Sequence, residues 1–274
     1  MSDTTFLIDL QVKINELMSL KYDVSQITRI PTKQDVTFGD KACAIQAACL
    51  FIDIRHSTKL LRKFRVSDVA NLLKSFHYIC SSIIKKNTGE VRSFNGDSVL
   101  AIFTEETCCD CAVSSAFNIK YSIGLLLTSK YKIENDLDFG IGIDYGKIFV
   151  VKVGNRGEFN NDLVWIGDAI NGAAKMGNNS NKPNNIKISE AVYKKLIEYN
   201  KYKPLHKPKV PLPPKPFGRK LSKSNKVISP IKPRVPIIPR PIGKRSEIWS
   251  KTPSSPIIKP LKPIIYYSSY ERPV

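Results

Sequence analysis

Of the 18 prolines in this chain, 16 fall within residues 201–274. Proline locks φ and has no amide hydrogen, so a stretch this dense in it joins neither a helix interior nor a central strand. A packed domain in this 274-residue chain is therefore expected to draw mainly on residues 1–200. Charge divides at the same place. Residues 201–274 hold 18 Lys or Arg against 2 acidic residues, which leaves only +3 of the +19 net charge to residues 1–200. The chain reads as a nearly neutral globular part followed by a basic, extended appendage.

No apolar run approaches the roughly 18–20 residues that span a bilayer. The opening MSDTTFLIDL lacks the positive stretch of a secretory signal. Six cysteines, at 43, 49, 80, 108, 109 and 111, sit in apolar contexts. Cys108, Cys109 and Cys111 have no second ligand pair at zinc spacing, so buried reduced thiols in a cytoplasmic protein are expected.

Within the globular part, residues 5–20 carry apolar positions at helical spacing, the pattern of an amphipathic helix that packs on the domain or on a partner chain. CAIQAACLFIDI, at 43–54, reads as a buried strand. A helix over 58–64 follows, then a longer one from an N-cap at Ser67 to about Lys86. Asn95-Gly96 joins two apolar runs, EVRSF and SVLAIF, and predicts a hairpin. Residues 108–130 read as a helix, 139–154 as a strand pair turning near Asp144-Tyr145-Gly146, and 164–177 as a strand end leading through Gly167 into a helix. A strand at 185–189 and a helix at 190–199 close the series. Helices alternating with paired strands predict an α+β sandwich with a mostly antiparallel sheet.

Two carboxylates stand out in this pattern. Asp53 and Asp97 each lie where an apolar strand meets a turn. A buried charge needs a partner, and Mg²⁺ is commonly held by one or two carboxylates plus substrate phosphates. His56 is a poorer ligand for such an ion and reads as a loop residue.

Three ordered motifs then carry a resemblance. Phe51-Ile52-Asp53-Ile54, Gly96-Asp97 followed by SVLAIF, and Gly167-Asp168-Ala169-Ile170-Asn171-Gly172-Ala173-Ala174-Lys175 resemble, in order and spacing, the catalytic domain of class III nucleotidyl cyclases, from about Ala42 to Tyr199. The resemblance implies a ferredoxin-like βαββαβ core with flanking helices. It implies a catalytic domain over 42–200; apolar spacing places an N-terminal helix and loop (1–41) before it, and composition places a disordered basic proline-rich segment (201–263) and a strand returning to the sheet (264–274) after it. It also implies two Mg²⁺ or Mn²⁺ ions per site, with Asp53, Ile54 and Asp97 as the metal set, and a nucleoside triphosphate substrate. The backbone amides of Arg55, His56, Ser57 and Thr58, at a helix start, would suit the β- and γ-phosphates. Asn171 would orient the ribose. Lys175, where the family usually has Arg, would stabilise charge on the reacting phosphate without the planar fork. Because the metal aspartates and the Asn/Lys pair come from opposite subunits in that family, a head-to-tail homodimer with shared sites is implied.

The base-reading positions of the family fall here on Ser93 and Val164, with Arg92, Asn95 and Trp165 nearby. Neither the Lys/Asp code of adenylyl cyclases nor the Glu/small-polar code of guanylyl cyclases is present. RSFNGDSVLAIF and Lys175 look most like the bacterial pyrimidine cyclases of the Pycsar antiphage system, which make cyclic UMP or cyclic CMP for a separate effector protein. UTP is the favoured substrate, with CTP second. A purine cyclase, or a degenerate regulatory module of the same fold, is the competing reading. The basic tail adds a further expectation, weak contact with nucleic acid or anionic membrane.

Overall fold

The computed structural model of the protein describes residues 3–128, 133, 137–155, 157, 161–202, 249–251 and 265–268. Helix α1 (Asp3–Met18) and strand β1 (Asp23–Gln26) precede the long strand β2 (Lys41–Arg55). Then come α2 (Ser57–Lys63), α3 (Val66–Lys86), the hairpin β3 (Glu90–Asn95) and β4 (Ser98–Phe103), and α4 (Cys108–Ser122). Strands β5 (Asp138–Val153) and β6 (Asp162–Ile166) lead into α5 (Asp168–Asn178). Strand β7 (Ile186–Ser189), short helices α6 (Glu190–Lys195) and α7 (Glu198–Lys201), and strands β8 (Ser250–Lys251) and β9 (Ile265–Ser268) complete the described elements.

The strands form one sheet in the order β3-β4-β2-β5-β7-β9-β8, with β1 beside β2 and β6 beside β5. The run β2-α3-β3-β4-α4-β5 is the βαββαβ core that the family resemblance implies, and its pairings are antiparallel. Strands β1 and β7 add parallel pairings to β2 and β5.

Period two explains why β2 sits in the middle. Leu50, Ile52 and Ile54 point to the face covered by α3 and α4, where they meet Phe76, Ile84, Phe117 and Ile119. Cys43, Ile45, Ala47, Cys49 and Phe51 point to the other face, toward Ala169 and Ala173 of α5. A strand buried on both faces reads as a continuous apolar run rather than an alternating one.

Four sequence expectations need correction. The stretch Asp144-Tyr145-Gly146 is not a turn, because β5 runs through it without a break, paired residue for residue with Cys49, Ala48 and Ala47 of β2. The N-cap of α3 is Arg65 rather than Ser67. The helix begun at Cys108 loses α geometry at Ile123 and continues as a π-helical turn to Thr128. The helix expected over 190–199 is two short ones, since Leu196 is extended and Asp110 receives the Ile197 amide at 3.1 Å.

Most of the basic segment lies outside the described residues, but Trp249 within it is buried. Its ring lies 5.7 Å from Phe117 and its indole N–H donates to the Asn200 carbonyl at 2.9 Å. Strand β9 pairs antiparallel with β7. All six cysteines are free thiols, five of them buried. No helix among the described residues is long and apolar enough to cross a membrane.

Candidate active site

Asp53 lies near the end of β2, opposite Ser98 of β4 and Gly140 of β5. Asp97 occupies the two-residue turn just before Ser98, so the hairpin brings it beside Asp53. Gly96 in that turn has φ 61°, a conformation that glycine adopts without a side-chain clash. The Ile54 amide donates to the Asp97 carbonyl at 3.4 Å, and His77 Nε2 of α3 bonds the Gly96 carbonyl at 2.9 Å. The His77 ring also meets Phe94 edge-on at 4.9 Å. His77 thus braces the turn that presents Asp97. Sequence reading missed it, because nothing in its helical spacing distinguishes it from a surface histidine.

The two carboxylates repel as well as adjoin. Burial, and then the charge of Asp97, push the Asp53 carboxyl up to about 6, against the opposing pull of Arg55. Arg55 Nη1 stands 3.5 Å from Asp53 Oδ2. Among the described residues no group of three or more His, Cys, Asp or Glu side chains could hold a metal. Asp53 and Asp97 offer two hard oxygen donors at this point, a donor type that suits Mg²⁺ or Mn²⁺. Ile54 lies between them in sequence, with its side chain buried on the opposite face.

Ser57 and Thr58 open α2 directly after His56, which has φ 55°. That left-handed residue turns the chain sharply from strand into helix.

Arg92 sits at an irregularity in the β3–β4 ladder, where the register shifts between Val91 and Ser93. Val91 opposes Ala101 and Ser93 opposes Leu100. The bulge therefore aims Ser93 at the α5 side of the sheet, the side that Ile102 also faces. Arg92 turns the same way and lays its guanidinium carbon 5.0 Å from the centroid of the Trp165 ring. Its Nη1 pairs with Glu90 at 3.1 Å, while its Nε is buried without a partner. Trp165 opposes Val150 and packs on the α5 side, so its neighbour Val164, opposite Val151, points to the other face and is exposed. The structure brings Arg92, Ser93 and Trp165 to one face and leaves Val164 on the reverse.

Helix α5 turns Ala169, Ala173 and Met176 inward. Asn171 and Lys175, one helical turn apart, are exposed on its outer surface. What fixes the helix is a seat without side chains. A Cβ on Gly140 would strike the Gly177 carbonyl, and one on Gly142 would strike the Ala173 carbonyl and Gly177 amide. A Cβ on Gly172 would strike the carboxylate of Asp144. Burial under the helix raises the pKa of Asp144, partly offset by the Ser189 hydroxyl and the Tyr145 amide. The glycines of FGIGIDYG are a floor for α5.

Residues 42–221 match the adenylate and guanylate cyclase catalytic domain family. The chain is 31% identical over 200 residues to a uridylate cyclase of Burkholderia cepacia, covering 71% of this chain and 86% of that one. It is 32% identical over 198 residues to a uridylate cyclase of Treponema porcinum, covering 69% and 68%. Among solved structures, a bacterial light-regulated adenylyl cyclase is 28% identical with a TM-score of 0.50, covering 56% of this chain and 46% of that one, so the chain spans about half the length of that protein. The adenylyl cyclase CyaB from P. aeruginosa shares the fold at 23% identity and a TM-score of 0.51, covering 56% of this chain and 81% of that one. The ordered motifs, the βαββαβ core and the paired aspartates at its edge all agree with that match, and the chain belongs to the adenylate and guanylate cyclase catalytic domain family.

Proposed function

We propose that the protein converts UTP to cyclic UMP and pyrophosphate, acting as a homodimer with two shared sites. The observation that carries this reading is the Asp53–Asp97 pair, two adjoining carboxylates whose mutual repulsion calls for cations. Its similarity to two uridylate cyclases at 31% and 32% identity supports the choice of base.

In this reading Asp53 and Asp97, with Ile54 contributing backbone, would hold two Mg²⁺ or Mn²⁺ ions. Such ions, when bound, lower the pKa of the ribose 3′-hydroxyl and neutralise charge on the leaving group. The amides from Arg55 to Thr58, with the hydroxyls of Ser57 and Thr58, receive the β- and γ-phosphates. Asn171 and Lys175 of the partner subunit orient the ribose and stabilise the α-phosphate as it gains a bond to the 3′-oxygen and loses its bond to pyrophosphate. Their exposure on α5 leaves them open to a facing subunit. Arg92, Ser93 and Trp165 lie on the same sheet face as Asp53 and line the base pocket. CTP is the second substrate in this reading. The product serves as a second messenger to a separate effector protein in antiphage defence, and the basic tail adds weak contact with nucleic acid or anionic lipid.

Incubation with each of the four nucleoside triphosphates and Mn²⁺, with products identified by mass spectrometry, tests the proposal. Cyclic UMP from UTP is the expected result. A product from ATP or GTP alone overturns it.

A further inference from the structure

Arg55 is the last residue of β2, two places beyond Asp53 and on the same face of the strand. Its guanidinium has two partners at once. Nη1 lies 3.5 Å from Asp53 Oδ2, and Nη2 donates to the carbonyl of Gly177. Gly177 belongs to the last turn of α5, the helix that carries Asn171 and Lys175. The arginine side chain is only 17% exposed, and its Nε is buried without a partner.

The carbonyl end of a helix carries partial negative charge and attracts cations. A second cation works at this end too, since Lys187 of β7 donates Nζ to the Asn179 carbonyl. Burial, and then the charge of Arg55, lower the pKa of Lys187. Beneath these cations the Gly177 backbone rests against Phe51 and Gly142, with no room for a side chain. The end of α5 is thus seated on strand backbone and held by two cations, one of which also holds Asp53.

We propose that Arg55 couples the aspartate pair to helix α5. In the cation-free protein its guanidinium is the counter-ion of Asp53 and the tie to Gly177. A divalent cation and a guanidinium compete for the same carboxylate, so cation binding at Asp53 and Asp97 takes Asp53 away from Arg55. The side chain then keeps one partner where it had two, and the last turn of α5 loosens. This rests on the reading of Asp53 and Asp97 as a cation site. In a dimer with shared sites, α5 of one chain serves the site built on the other chain's aspartates. Arg55 would then report the cation load of one site to the nucleotide contacts of the other.

The test uses the full chain and Mn²⁺ alone, with no nucleotide. Hydrogen–deuterium exchange of peptides covering 176–182 is followed with and without the ion, and Mn²⁺ affinity is measured by calorimetry. In the wild type, Mn²⁺ is expected to speed exchange in this turn by about two- to fivefold, the size of a modest local opening. In Arg55→Met the Mn²⁺-dependent change disappears, while Mn²⁺ binds about three- to tenfold more tightly because a competing charge is gone. Arg55→Lys keeps a point charge without the fork that reaches two partners, so it retains the weaker affinity and loses the exchange response. Wild-type protein that binds Mn²⁺ with unchanged exchange at α5, or variants that respond as the wild type does, would overturn the coupling. If Mn²⁺ does not bind, or binds Asp53→Asn equally well, the cation-site reading itself fails, and the coupling fails with it.

Discussion

Arg92 lies over the indole of Trp165, with its guanidinium carbon 5.0 Å from the ring centroid. One residue comes from β3, at an edge of the core sheet, and the other from β6, beyond the opposite side of β2. Their contact shows how far the sheet curls, and it closes the concave face on which Ser93 and Asp53 lie. The guanidinium is also paired through Nη1 with Glu90 at 3.1 Å, so it rests on the indole as a fixed cation.

Removing that stack should weaken base recognition more than chemistry. Trp165→Ala is expected to raise KM for UTP by about three- to thirtyfold, the range of a partly desolvated cation–π contact, with a smaller change in kcat. Steady-state kinetics with UTP and CTP check this, and a fall in kcat at unchanged KM would contradict the assignment.

Asp53 should be a cost to the fold without cations. Its carboxyl is raised from the ordinary 3.8 to about 6, so the folded state binds the proton more tightly than the unfolded chain does. Stability of the metal-free protein therefore declines as pH rises from about 4 to about 6 and stays lower above that. At pH 7.5, Asp53→Asn should gain about 1–2 kcal/mol, discounted for partial solvent screening, while abolishing turnover. Below pH 6, Mn²⁺ affinity should drop as protons compete for the carboxylate. Denaturant melts across pH, with and without Mn²⁺, measure both effects.

Shared sites predict complementation. Asp53→Asn and Asn171→Ala homodimers should each be inactive. Mixing the two after subunit exchange should restore about a quarter of wild-type activity, since half the dimers would be mixed and each would hold one intact site. Continued inactivity with proven exchange would place the aspartates and Asn171 in the same subunit's site.

Lys175→Ala should lower kcat by about 10²–10³-fold, as loss of a group that stabilises transition-state charge does. Lys175→Arg should retain activity, because α5 leaves position 175 exposed with space for a guanidinium. Pre-steady-state turnover separates this from a slow release step.

The glycine floor can be probed directly. Gly142→Ala should destabilise by about 1–3 kcal/mol or more, since the new methyl meets the backbone of α5 rather than a yielding side chain. His56→Gly, at φ 55°, should be neutral or stabilising by up to about 1 kcal/mol. Thermal melts of the two variants should move in opposite directions or differ plainly in size.

The central strand 43–54, the Asn95-Gly96 hairpin and the helix that carries Asn171 and Lys175 one turn apart were legible in the residues alone. These follow from local information: side-chain periodicity and turn preference act over a few residues. Tertiary structure decided the rest. Asp144-Tyr145-Gly146 has the composition of a turn, yet β2 offers each of the three a paired partner, and the ladder overrides local preference. Strand alternation could not say which way Arg92 points, because a bulge resets the alternation and is visible only in the β3–β4 register. The acidity of Asp53 and the double engagement of Arg55 depend on Asp97 and on Gly177, the latter 122 residues away in the chain. Desolvation and charge proximity belong to the folded arrangement, and no spacing along the chain encodes them.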